Sequence, residues 1–171
     1  IRLEGVSPNT QYVEIESGLF GEYNARNILT AVTIGLFFGV DLESIKSAIR
    51  LYLPDNNRSQ VIERGEKLVV LDAYNANPTS MHLALESFVQ REGTKAAILG
   101  GMNELGDISH AQHLRLVSAV ADAEMTSVYL VGDHFNGISL PDGVYHFENV
   151  DALCKHLESN PISEELILIK G

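Results

Sequence analysis

Four stretches of the chain, residues 67–72, 95–99, 126–131 and 165–169, are nearly uninterrupted apolar runs. Runs of that kind suit strands covered on both faces, as in a parallel sheet, rather than strands with one wet face. Two further candidates, 59–63 and 144–147, join them. Between the runs, apolar residues recur at helical spacing over 78–91, 109–123 and 149–158. Strand alternating with helix predicts an α/β fold, a mainly parallel sheet with helices on both faces and right-handed crossovers.

Before residue 55 the rhythm differs. Polar and apolar residues alternate over 10–16, which predicts a strand from a mainly antiparallel region. From Asn24 to Phe38, Ile28, Val32 and Leu36 recur at helical spacing, with Ala31 and Ile34 beside them, and Asn24 is a candidate N-cap. Gly39 ends that helix. Asp41 caps a second one running to about Tyr52, with Glu43 and Ser44 in its first turn. The loop Pro54-Asp55-Asn56-Asn57 divides the chain into 1–55 and 56–171. The chain starts at Ile1 and stops at Ile-Leu-Ile-Lys-Gly, as a strand reaches its loop, and we read it as a segment of a longer protein.

Composition narrows the class of partner. The chain carries 12 Lys and Arg against 23 Asp and Glu, a net charge of −11. That disfavours non-specific binding to nucleic acid or to an anionic membrane. It leaves phosphorylated ligands open, because a few local cations or helix N-termini can hold a phosphate. No apolar run approaches the roughly 20 residues that span a bilayer. The single Cys154 is expected on the apolar side of the last helix, as a packed thiol in a reducing cytoplasm.

The candidate chemistry sits where strands end, the edge at which open α/β sheets bind ligands. Asp72 ends the run 67–72, and Asn75, Asn77 and Pro78 follow in one polar turn. The carboxylate can accept from ribose hydroxyls and the amides can donate and accept. The plainer alternative is an Asx-rich turn that caps the next helix. Arg58, at the domain boundary, can fork onto phosphate oxygens or remain a surface arginine. Asn27 lies one helical turn after Asn24 and can present its amide to a base edge, or simply be solvated. Gly100-Gly101 directly after a strand permits close backbone approach, but the spacing is not a Gly-x-Gly-x-x-Gly fingerprint. His110 and His113 are three residues apart with no third ligand nearby, so His113 is expected to brace the loop around Glu104 rather than hold a metal. There is no Gly-x-x-x-x-Gly-Lys-Ser/Thr phosphate loop in the chain.

Taken in order, these segments resemble the Mur ligases. Gly21-Glu22-Tyr23-Asn24-Ala25-Arg26-Asn27-Ile28-Leu29-Thr30-Ala31 is similar to Gly-x-His-Asn-x-x-Asn-x-x-Ala-Ala, with Tyr23 and Thr30 departing from it. Asn56-Asn57-Arg58 resembles Pro-Gly-Arg, and Asp72-Ala73-Tyr74-Asn75-Ala76-Asn77-Pro78 resembles Asp-Ser-Tyr-Asn-Ala-Asn-Pro. Gly100-Gly101-Met102-Asn103-Glu104-Leu105-Gly106, with His113 downstream, resembles Gly-Asp-Met-x-Glu-Leu-Gly, with Gly101 in place of Asp. Ile169-Lys170-Gly171 looks like the start of Val-Lys-Gly-Ser.

The resemblance implies that 1–55 ends a central ATP-binding domain and 56–171 is a C-terminal Rossmann-like domain. It implies a monomeric cytoplasmic enzyme that uses ATP and Mg²⁺ to join D-alanyl-D-alanine to UDP-N-acetylmuramoyl-tripeptide through an acyl phosphate. The metal ligands and phosphate loop would lie upstream, leaving this segment inactive alone. By position, Asn27 would meet adenine, Arg58 the ATP phosphates and Asp72 the ribose. Asn75, Asn77 and Lys170 would line the cleft near the dipeptide or phosphate. Two other classes remain open: a ligase of the same superfamily with another amino component, such as a folylpolyglutamate-type enzyme, and a non-catalytic Rossmann-like binding module.

Overall fold

A computed structural model describes residues 13–123 and 125–171. The chain divides into two compact units, 1–55 and 56–171.

The described part of the first unit holds helices α1 (Ala25–Phe37) and α2 (Leu42–Leu51). Gly39, at φ +77°, closes α1 as expected: its N–H bonds Leu36 O and the Val40 N–H bonds Gly35 O. Asp41 caps α2 by accepting from Ser44 N at 2.9 Å. Ile15, Ile28, Val32 and Ile45 form a small core. Gly35 lets α2 come close, since a Cβ there would lie 2.8 Å from Ile45 Cδ1. Two expectations fail here. Leu36, expected on the buried stripe, is exposed. The strand expected over 10–16 falls partly outside the described residues, and its described part, 13–16, belongs to no strand.

The second unit is a six-stranded sheet in the order β1-β2-β6-β3-β4-β5. The strands are β1 (Gln60–Arg64), β2 (Lys67–Asp72), β3 (Lys95–Gly100), β4 (Ser127–Val131), β5 (Val144–Phe147) and β6 (Leu166–Lys170). Among the described residues, the β1–β2 pair is antiparallel and the other pairs are parallel. Helix α3 (Pro78–Val89) crosses from β2 to β3, α4 (Ser109–Ala121) from β3 to β4, and α5 (Val150–Ser159) returns from β5 to β6. The chain moves one way across the sheet for α3 and α4 and the other way for α5, so right-handed crossovers place α5 on the opposite face. Packing agrees. Leu153 of α5 lies against Ala96, Tyr129 and Val131. Their strand neighbours Ala97, Leu99, Val128 and Leu130 alternate to the other face, where α3 and α4 pack together.

Cys154 is exposed, a correction to its expected burial. The stripe of α5 that meets the sheet runs through Leu153, His156 and Leu157, and Cys154 lies one residue, about 100°, round the helix from Leu153.

Candidate functional site

The parallel register sets Asp72 beside Lys170, each the last residue of its strand. Lys170 Nζ pairs with Asp72 Oδ2 at 2.9 Å, with side chains only 2% and 13% exposed. The same ammonium donates to Asp72 O at 3.3 Å and Asn75 O at 3.0 Å. A buried ion pair with its donors satisfied is tolerated, but removing one partner alone costs about 3–5 kcal/mol. The second carboxylate oxygen of Asp72 accepts from Ser59 N at 2.9 Å.

Ser59 follows Arg58. Asn57 and Ser59, on either side of that arginine, have φ of 58° and 49°. Non-glycine residues in this region store strain and gather at functional sites. Asn57 stands where the resembling motif has Gly, and Asn tolerates the left-handed conformation better than most residues. The Arg58 guanidinium lies 3.6 Å from the centroid of the Tyr74 ring. Stacking uses its face and leaves the N–H edge open, the edge that grips phosphate.

The turn after β2 alternates. Ala76 is buried, while Tyr74, Asn75 and Asn77 are exposed. Asn77 is the N-cap of α3: its oxygen accepts from Ser80 N at 2.9 Å, and Ser80 Oγ accepts from Asn77 N at 3.2 Å. The capping alternative therefore holds for its oxygen, and its amide NH₂ remains available.

The glycine turn after β3 is occupied by the protein itself. A Cβ at Gly100 would lie 3.0 Å from Gly171 Cα, and one at Gly101 would lie 2.4 Å from His134 Nδ1. His134 stacks on His113, with ring centroids 4.9 Å apart. His113 is fully buried and braces the loop: its Nε2 accepts from Met102 N at 2.9 Å, so Nδ1–H donates to Ser109 O at 2.8 Å. Burial pushes its pKa below 6.5, partly offset by the Ser109 carbonyl, and the neighbouring His134 and His110 push it further down. His110 is exposed and does not converge with it.

Arg58, Asp72, Asn75 and Lys170 thus meet at one point on the C-terminal edge of the sheet. Asn27 belongs to the first unit. It donates to Asn24 Oδ1 at 3.0 Å and borders an apolar hollow of about 340 Å³ formed with Leu19, Ile28, Ala31, Ile49 and Tyr52. Asn24 itself makes no cap bond and instead donates back to Phe20 O at 2.7 Å. The sequence reading missed Tyr74, Ser59 and His134. For Tyr74 the available signal was an aromatic residue in a polar turn; for the other two there was none, because their partners are distant in sequence.

No group of three His, Cys, Asp or Glu side chains among the described residues could hold a metal ion. Asp72 is already neutralised by the Lys170 ammonium and belongs to no such group, so these residues do not fit a Mg²⁺ site.

A family model described as the Mur ligase glutamate ligase domain matches residues 57–171. The chain is 33% identical over 168 residues to the UDP-N-acetylmuramoyl-tripeptide–D-alanyl-D-alanine ligase of Rickettsia prowazekii, covering 95% of this chain and 37% of that protein. It is 31% identical over 166 residues to the ligase of that name from Escherichia coli, again covering 95% and 37%. Among solved structures, the diaminopimelate-type D-alanyl-D-alanyl ligase of Acinetobacter baumannii matches with a TM-score of 0.78 at 26% identity, covering 96% of this chain and 36% of that one. A MurF ligase of Thermotoga maritima in complex with ADP shares the fold, at TM-score 0.76 and 21% identity, covering 94% and 37%. The chain spans little more than a third of the length of these relatives.

Proposed function

Because the chain belongs to the Mur ligase family, we propose that it is the C-terminal portion of an ATP-dependent ligase joining D-alanyl-D-alanine to UDP-N-acetylmuramoyl-tripeptide, in the cytoplasmic synthesis of peptidoglycan precursors. In this reaction the substrate carboxylate attacks the γ-phosphorus of ATP, giving an acyl phosphate and ADP. The dipeptide amine then adds to the acyl carbon, and the tetrahedral intermediate expels inorganic phosphate to leave an amide. Such chemistry depends on placing reactants and stabilising charge.

The observation that carries the reading is the Arg58 guanidinium, held face-on against Tyr74 beside Asp72 with its donor edge open. In the proposed roles Arg58 grips ATP phosphate oxygens. Asp72, still rich in lone pairs, accepts from ribose hydroxyls. The exposed Asn75 amide and the Asn77 NH₂ face the dipeptide or the transferred phosphate. In the first unit the amide of Asn27, at the rim of an apolar hollow, suits the edge of adenine. The metal ion and phosphate loop belong to upstream domains of the same protein, which acts as a monomer.

The test is ATP-dependent phosphate release by the full-length protein, given UDP-muramoyl tripeptide and D-Ala-D-Ala. Arg58→Ala and Asp72→Ala should each raise the ATP KM by about tenfold or more, the worth of a charged hydrogen bond. An unchanged ATP KM and kcat in both would remove the nucleotide roles. Turnover with a diamino acid or glutamate instead of the dipeptide would favour the other ligase class.

A further inference from the structure

We propose that Lys170 is a positioning residue of this site, which fixes the Arg58 guanidinium through Asp72 and the 72–75 turn and does not touch substrate. The proposal rests on the ligase reading and deepens it. An ammonium has three N–H donors. Those of Lys170 go to Asp72 Oδ2, Asp72 O and Asn75 O, and its side chain is 2% exposed. None is left for a ligand.

What Lys170 holds is informative. One Asp72 oxygen is pinned by the ammonium, and this aims the other at Ser59 N. That bond ties down a residue at φ 49°, one of the two left-handed positions that flank Arg58. The ammonium also clamps the backbone at residues 72 and 75, the two sides of the short turn that carries Tyr74. Tyr74 is the surface on which Arg58 lies. The backbone just after the arginine and the ring beneath it therefore both trace to one ammonium on a strand 98 residues away from Asp72 in sequence.

A double-mutant cycle tests this in the full-length protein. Lys170→Met should raise the ATP KM by about tenfold when Arg58 is present, and by a clearly smaller factor in the Arg58→Ala background, where only the Asp72 contact to ribose is left to lose. The dipeptide KM at saturating ATP should rise by a smaller factor than the ATP KM, since the ammonium holds the Asn75 backbone but not its amide. Equal factors in both backgrounds, or a rise in the dipeptide KM alone, would overturn the proposal. A second readout needs no turnover. In the full-length protein the Arg58 Nε–H resonance should carry a ring-current shift from Tyr74, given the 3.6 Å stacking distance. Lys170→Met should move it toward its position in Tyr74→Ala while the amide signals of the β3–β4 pair stay in place; an unmoved resonance sinks the idea. Should Lys170→Met fail to fold, Lys170→Gln, which keeps two donors without charge, carries the same comparisons. A wild-type protein without ATP-dependent phosphate release would defeat the ligase reading, and the resonance comparison would still decide the positioning claim.

Discussion

His113 is locked in one protonation state by its two bonds. Nε2 must stay an acceptor to hold Met102 N, and Nδ1 must keep its proton for Ser109 O. A second proton on Nε2 would break the bond that braces the 100–106 turn. The sign of the pH effect follows. The folded pKa lies below 6.5 because of burial, so between that lowered value and 6.5 the unfolded chain binds more protons. The stabilisation is complete above about pH 6.5 and is lost as the pH falls toward the folded pKa. We expect the Tm difference between the wild type and His113→Gln to shrink steadily as the pH is lowered from about 7.5 to 5.5; a constant difference would contradict the assignment. The bracing role was legible from sequence, but the stacked His134 was not. His134 also explains why Gly101 carries no side chain here: an Asp, as in the resembling motif, would have its Cβ 2.4 Å from His134 Nδ1 and would force the imidazole to move.

At the scale of elements, the strands and helices were legible to within a residue or two because continuous apolar runs alternate with helically spaced apolar residues in 56–171. Pairing across the sheet was not. Asp72 and Lys170 each read as the polar end of an apolar run, but their contact depends on β6 inserting between β2 and β3. That order comes from the reversal of direction after β5, for which no local pattern codes. The start of α3 shows the opposite case, where the cap was legible and competes with a substrate role for one side chain. Asn77→Ala should cost about 1 kcal/mol in stability through loss of the cap. Asn77→Asp keeps the cap oxygen and places a negative charge at a helix N-terminus, so its Tm should match or exceed the wild type. In the full-length enzyme Asn77→Asp should still raise the dipeptide KM severalfold, as it removes the NH₂ donor. Thermal melts and steady-state kinetics on the two variants separate the roles; an Asn77→Asp protein with unaltered kinetics leaves Asn77 as a cap alone.

At the scale of the whole molecule the two units differ in how much apolar surface they cover. In the second unit the central strands β3, β4 and β6 are largely buried on both faces. In the first unit Phe37 is 82% exposed, Phe38 76%, Leu51 70% and Leu53 80%, with Leu29, Ile34 and Leu36 each about half exposed. Single exposed apolar residues need no explanation, but a concentration of this kind marks a covered surface. Because the chain accounts for 36% or 37% of the relatives' length, we infer that upstream chain of the same protein covers it. The helical rhythm of α1 was legible, but which of its faces is inside was not: apolar residues lie nearly all round it, as in a helix buried on more than one side. The inference separates two contexts for the same substitution. Phe37→Ser and Phe38→Ser should alter the Tm of this chain by little, as exposed positions do (about 0.5 kcal/mol or less), and improve its solubility. In the full-length protein the same changes should each cost about 3 kcal/mol or more, the scale for removing a buried Phe. Denaturant titrations of both proteins decide it. Equal effects in the two contexts would mean that α1 faces solvent throughout and that the upstream chain packs elsewhere.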